Sequence, residues 1–212
     1  MRFAIAGEGL TDYTVLKNLL IGFFNDKNLP TTRLLPEDKE PVGWGNVSHF
    51  LASERFRKGV LNADYTIVQI DTGTCQDWNE NIEHIGDDVS KVEAFIQTVI
   101  GVLKRKIGDE FYEQYAAQIL FAVTVHDMEC WLLPFNEKLK NKQAKIVGCF
   151  NALEAIANKQ GFSLHQKNFE ESKHYEKLSA DMKKQKTLFD KAHLNISLHF
   201  FIEQLKVFFP AA

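Results

Sequence analysis

Residues 2–24 read RFAIAGEGLTDYTVLKNLLIGFF, and this stretch decides the fold class. Arg2 to Ala6 is a short apolar run that stops at Gly7, which predicts a β-strand. From Thr11 to Phe24, the residues Tyr13, Leu16, Leu19, Leu20 and Phe23 recur at helical spacing. A strand that passes through a glycine turn into an amphipathic helix opens a βα unit.

The same alternation continues outward. Thr32–Leu35 predicts a second strand, punctuated by Pro30, Pro36 and Pro41, and Val47–Val60 a second helix. Tyr65–Ile70 (YTIVQI) is rich in β-branched residues, carries no charge and ends abruptly at Asp71. The polar stretch Thr72–Ile85 reads as a loop, Val89–Ile107 as a long helix and Glu110–Ala117 as a further helical segment. Ile119–Val125 (ILFAVTV) is another buried strand, ending at His126-Asp127. Near-continuous apolar strands between helices predict an α/β fold with a mainly parallel central sheet covered on both faces. After Pro134 no strand is predicted, and helical runs fall near Val147–Gln160, His174–Lys184 and Ile196–Phe208. The expected organisation is an α/β domain over residues 1–134 and a basic helical C-terminal lobe over 135–212 packed on it.

The chain has 212 residues, 45% of them hydrophobic, enough to build a sizeable core. No apolar run reaches the roughly 18–20 residues that span a bilayer, and no signal-peptide core is seen. Cys75, Cys130 and Cys149 are odd in number and form no CxxC pair, so they read as idle thiols. These features predict a cytoplasmic location and no membrane partner. Net charge is −3, unevenly spread. Residues 1–130 carry 12 Lys/Arg against 20 Asp/Glu, and residues 131–212 carry 13 against 8. An acidic half joined to a basic half fits a metal site beside a surface for a polyanion, and equally fits two ordinary solvated faces.

In open parallel sheets, function gathers outside the carboxyl ends of the strands. Glu8 follows the first strand, Asp71 follows YTIVQI, and Asp127 and Glu129 follow ILFAVTV. Carboxylates are hard oxygen ligands suited to Mg²⁺ or Mn²⁺, and crowding them without a cation costs repulsion or forces protonation. Asp77 is a further metal candidate and Asp12 stands evenly between a site role and a structural one. Asp127 also suits a cap on a helix beginning near Met128. His126 reads as structural more readily than as a ligand. GEGLTD is neither GxGxxG nor a P-loop, and HExxH and GxSxG are absent.

The opening IAGEGLTDYTVLKNLL resembles the first motif of the Toprim domain, with Glu8-Gly9 and Thr11-Asp12 matching. IVQIDTG resembles the strand that carries that family's Asp-x-Asp motif, with Asp71 as its first member. VTVHDMECWLLP resembles a strand followed by Glu-x-Trp-Leu-Leu in small bacterial RloB-like and OLD-nuclease-related Toprim families, and there Glu129 is the matching acid. HYEKLS and NISLHFFIEQLK are similar to the helical region that follows in those proteins. One departure stands out: Gly73 occupies the position of the second acid of Asp-x-Asp.

The resemblance implies a Toprim-like, Rossmann-like topology and metal-dependent hydrolysis of nucleic-acid phosphodiesters, in a setting such as phage defence. Glu8, Asp71 and Glu129 would be catalytic. Glu8, Asp71, Asp77, Asp127 and Glu129 form the candidate metal set for Mg²⁺ or Mn²⁺. Lys138, Lys140, Lys142, Lys183, Lys184 and Lys186 are candidates for tracking a phosphate backbone. The competing expectation is a Toprim-like module without catalysis, binding nucleic acid or a protein such as an ATPase partner, and a homodimer is compatible with either. A metal-dependent phosphohydrolase of nucleotides is a third reading. A topoisomerase is not expected, because no tyrosine can be picked out as a nucleophile.

Overall fold

A computed structural model describes residues 1–37, 43–164 and 170–210, except for the side chains of residues 170 and 171. Four strands form one all-parallel sheet in the order β2-β1-β3-β4: β1 Phe3–Ala6, β2 Thr31–Leu35, β3 Tyr65–Asp71 and β4 Ile119–Thr124. Ile5 pairs with Ile67, and Asp71 at the end of β3 pairs with Thr124 at the end of β4. The chain steps from β1 to β2 on one side and then to β3 on the other. The crevice at the carboxyl ends of β1 and β3 is therefore the switch point of the sheet, where α/β proteins bind ligands.

Burial on both faces explains why the strand sequences are apolar without alternation. Phe3, Ile5, Ile67, Leu120 and Ala122 face one core, and Val68, Ile70, Ile119, Phe121 and Val123 face the other. The first core is covered by α1 (Leu10–Phe24), α6 (Glu129–Asn136), α8 (Cys149–Lys159), α9 (Glu170–Leu178), α10 (Gln185–Ala192) and α11 (Ile196–Phe208). The second lies under α2 (Trp44–Leu51), α3 (Glu54–Leu61) and α4 (Val92–Ile107). Two shorter helices, α5 (Asp109–Tyr115) and α7 (Lys140–Gln143), complete the set. The helices α8 to α11 thus share one core with β1 and α1. The backbone N–H of Phe121 on edge strand β4 donates to Gln204 Oε1 of α11 at 2.9 Å, which covers an otherwise unpaired edge.

Several expectations are refined. The helix expected over Val47–Val60 is broken at Ala52-Ser53, where the Ser53 hydroxyl accepts from Phe56 N at 3.2 Å and caps a new helix. The long helix begins as a 3-10 turn over Val89–Lys91. The run expected over His174–Lys184 starts earlier, at Glu170, and passes into a 3-10 turn at Ala180–Lys183. The helix α10 was not anticipated. It packs beside that turn against α1, and the approach is close: a Cβ on Gly22 of α1 would lie 1.8 Å from the Met182 carbonyl oxygen.

The cysteine expectation is overturned. Cys130 of α6 and Cys149 of α8 form a disulfide with Cα atoms 5.0 Å apart, and Cys75 alone is a free, buried thiol. A separation of 19 residues concealed a contact made by two helices packing face to face. The cysteine pattern therefore no longer argues for the cytoplasm. Among the described residues, no helix is long and apolar enough to cross a membrane.

Candidate acidic site at the sheet switch point

The two-residue period of a strand places Ile67, Gln69 and Asp71 on one face of β3, and Leu120, Ala122 and Thr124 on the matching face of β4. That face is the one against α1 and α6. The polar residues at the upper ends of these rows thus meet the first turns of both helices.

Glu8 leaves β1 directly over this face. Its backbone N–H donates to Gln69 Oε1 at 3.0 Å, and its Oε1 accepts from the Asp71 backbone N–H at 2.9 Å. Gly7 lets Gln69 approach closely here: a Cβ would lie 2.9 Å from Gln69 Oε1 and would displace it from the Glu8 N–H. The Asp71 carboxylate is in hydrogen-bond contact with the Thr124 hydroxyl, and Gln69 Nε2 donates to Asp71 Oδ1 at 2.8 Å. Thr124 Oγ1 also reaches the Ile70 carbonyl oxygen at 2.9 Å. A hydroxyl has one proton. If it is given to Ile70, the contact with Asp71 requires the proton to come from the carboxyl group.

Asp12 lies in the first turn of α1 and is buried. Its carboxylate sits at the helix N-terminus, where the backbone N–H groups of Gly9 and Asp12 favour its charged form. Glu129 is the first residue of α6, and its Oε1 accepts from the Tyr175 hydroxyl of α9.

These four carboxylates feel one another. Burial pushes Glu8 up from 4.5 to about 7, against the pull of the Asp71 N–H. Asp12 rises from 3.8 to about 8, first by burial and then by the charges of Glu8 and Glu129. Asp71 is held well above its ordinary range by burial and then by Asp12, Glu8 and Glu129. The charges that act on Asp12 and Asp71 are carboxylates, so ionising the group costs free energy until a cation arrives.

Asp77 and Asp127 stand apart from this group. Asp77 is exposed on a 3-10 turn at Cys75–Trp78. Asp127 is half-buried; its pKa is raised by burial and drawn down by His126 and His84, not influenced by the other acids. No side chain caps the N-terminus of α6, so the capping role expected of Asp127 is not used. His126 takes a left-handed backbone with φ of 65°. Its carbonyl accepts from Thr72 N and Gly73 N at 3.0 and 2.9 Å, its ring Nε2 meets the Gly86 carbonyl at 2.7 Å, and the His84 ring lies 4.4 Å away. A Cβ on Gly73 would be 3.1 Å from Asp127 Oδ1, so Asp127 borders the space that a second acid of Asp-x-Asp would enter.

The donor chemistry of Glu8, Asp12, Asp71 and Glu129 fits a hard divalent cation. Their present rotamers do not form a finished cage: among the described residues, no three His, Cys, Asp or Glu side chains converge closely enough to hold an ion. Binding would require the carboxylates to turn toward one another.

No family model, no curated protein and no solved structure matches the chain.

The reading of the site therefore stands on its own residues. Gln69, Thr124 and Tyr175 were missed by sequence reasoning. A signal existed for the first two, each a polar residue inside an otherwise apolar strand run. Tyr175 lies in HYEKLS, which carried a resemblance but no assigned role.

Proposed function

We propose that the protein is a Mg²⁺- or Mn²⁺-dependent hydrolase of nucleic-acid phosphodiesters, acting at the crevice between β1 and β3. The observation that carries this reading is the gathering of Glu8, Asp12 and Asp71 at one crevice, Asp12 buried and the other two half-buried, with Glu129 adding its charge. Three carboxylates with little access to solvent are not gathered in one place for stability, since each raises the cost of the others. They serve when a cation is shared with a phosphate.

When bound, the cation supplies Lewis-acid charge at the phosphoryl oxygens and acidifies water. Asp71 and Glu129 would hold it, with Asp12 as a third ligand. Thr124 and Gln69 orient Asp71, and Tyr175 orients Glu129. Such supporting partners set ligand geometry as much as the ligands do. Glu8, whose carboxyl titrates at about 7, is suited to take a proton from an attacking water or return one to a leaving oxygen. For the polyanion, Lys138 follows α6 and Lys140 and Lys142 lie in the short helix α7, all three exposed. Lys183 and Lys184 instead pair with Glu176 and Asp181, which reduces their call on phosphate.

The second reading, a binding module without catalysis that works with an ATPase partner, is favoured by Gly73. The side of the crevice beyond Asp71 lacks its acid, and Asp127 belongs to a histidine neighbourhood. Plasmid, linear and single-stranded DNA, and RNA, incubated with Mg²⁺, Mn²⁺ or EDTA, separate the two. Metal-dependent cleavage lost in Glu8→Gln and Asp71→Asn supports the hydrolase. No cleavage by folded wild-type protein with either metal transfers the assignment to the binding module.

A further inference from the structure

Two tryptophans stand near the acidic crevice, on segments that follow β2 and β3, the strands on either side of β1. Trp44 is the first residue of α2, and Trp78 closes the 3-10 turn that follows Asp71 and Gly73. Their rings stack at 4.1 Å with 13° between planes. Trp78 is almost wholly buried in the core under α2 and α4, whereas Trp44 is only half-buried against that core. Gly43, immediately before Trp44, places this pair beside Glu8. Its N–H donates to the Glu8 carbonyl at 3.4 Å, and a Cβ on it would stand 3.9 Å from Glu8 Oε2. Gly43 has φ of 99°, a conformation that glycine adopts without strain.

One face of the Trp44 indole is taken by Trp78. Among the described residues no second ring stacks on it. Among the described residues, Trp78 Nε1 is buried without a hydrogen-bond partner, so the pair is held by ring contact and core packing. An indole backed by a second, buried indole is rigid, and its ordering cost is met before any ligand arrives. Aromatic faces accept any nucleobase, because every base has a π-face.

We propose that Trp44 is a base-stacking residue: it receives the unpaired nucleobase next to the phosphodiester presented to Glu8 and Asp71. The assignment rests on the hydrolase reading of the carboxylates and narrows its substrate to a strand with an accessible, unstacked base. In a duplex both faces of each base are already covered. Trp44 thus selects single-stranded or frayed nucleic acid by stacking, with no preference among sequences.

The test is binding, not cleavage. Labelled hexathymidylate and an abasic hexamer of equal phosphate number are titrated with the full chain by fluorescence anisotropy, in EDTA and in Ca²⁺. The wild type should prefer the base-bearing strand at least about fivefold. Trp44→Leu fills the half-buried position without a ring and should abolish the preference. Trp44→Phe should keep most of it. Equal binding of both strands, a preference that survives in Trp44→Leu, or binding of neither strand would each overturn the proposal. Base preference without cleavage would leave the stack standing and remove the hydrolase; cleavage without base preference would do the reverse.

Discussion

Raising the pH with no divalent cation present should loosen this protein, and adding the cation should reverse the effect. Glu8 has a folded-state pKa of about 7 against an ordinary 4.5. Between those values the native state binds more protons than the unfolded state, so stability falls as pH rises through the window. The loss is absent below pH 4.5 and complete above about pH 8. At about 1.4 kcal/mol per pH unit, Glu8 alone costs about 3 kcal/mol. Asp12 and Asp71 shift in the same direction, but part of their shift is repulsion from Glu8 itself, so the three do not add. For a chain of this size, about 3 kcal/mol corresponds to a melting temperature lower by about 6–12 °C. The assay is thermal unfolding in EDTA at steps between about pH 5 and 8.5, repeated with Mn²⁺. Glu8→Gln keeps an oxygen to accept from Asp71 N while removing the charge. The difference between its profile and that of the wild type therefore isolates Glu8 from histidines elsewhere. The wild type should fall by more degrees than the variant, and the stabilisation by Mn²⁺ should grow with pH. Parallel profiles for wild type and Glu8→Gln would refute the argument, as would Mn²⁺ stabilisation that does not depend on pH.

Three further outcomes are expected. Gly22→Ala should destabilise by about 3 kcal/mol or more in urea unfolding, because the new methyl meets the Met182 carbonyl backbone and neither side can turn away. Tyr175→Phe removes the hydroxyl that holds Glu129; metal-dependent activity should drop about tenfold or more, while stability changes by about 1 kcal/mol, read by cleavage rate and by melting. Alkylation of unfolded, unreduced protein should modify one cysteine of three, and Cys130→Ala with Cys149→Ala should lower stability by about 3 kcal/mol, since a loop of 19 residues is no longer closed in the unfolded chain.

The local pattern reached far. The opening strand, glycine turn and helix, the uncharged YTIVQI and the buried ILFAVTV are each set by neighbours within a few residues, and they carry the parallel sheet with them. The places of Glu8 and Asp71 at the carboxyl ends of β1 and β3 were legible because each acid directly follows an uncharged run. The closing helix was legible to the residue, since Asn195 caps it and its apolar stripe is continuous.

What remained depended on packing across long separations. Whether Asp12 faced solvent or the crevice turned on how α1 lies on the sheet. Tyr175 meets Glu129 only because α9 folds back over α6, and Cys130 meets Cys149 only because α8 packs on that same helix. The division of the carboxylates is of the same kind: Asp71 ends β3, whereas Asp127 lies beyond β4 and after the left-handed residue His126, in a neighbourhood of histidines. Periodicity and turn chemistry act over a few residues and so can be read from the chain. Contacts between elements far apart in sequence leave no local trace, and only the tertiary structure decides them.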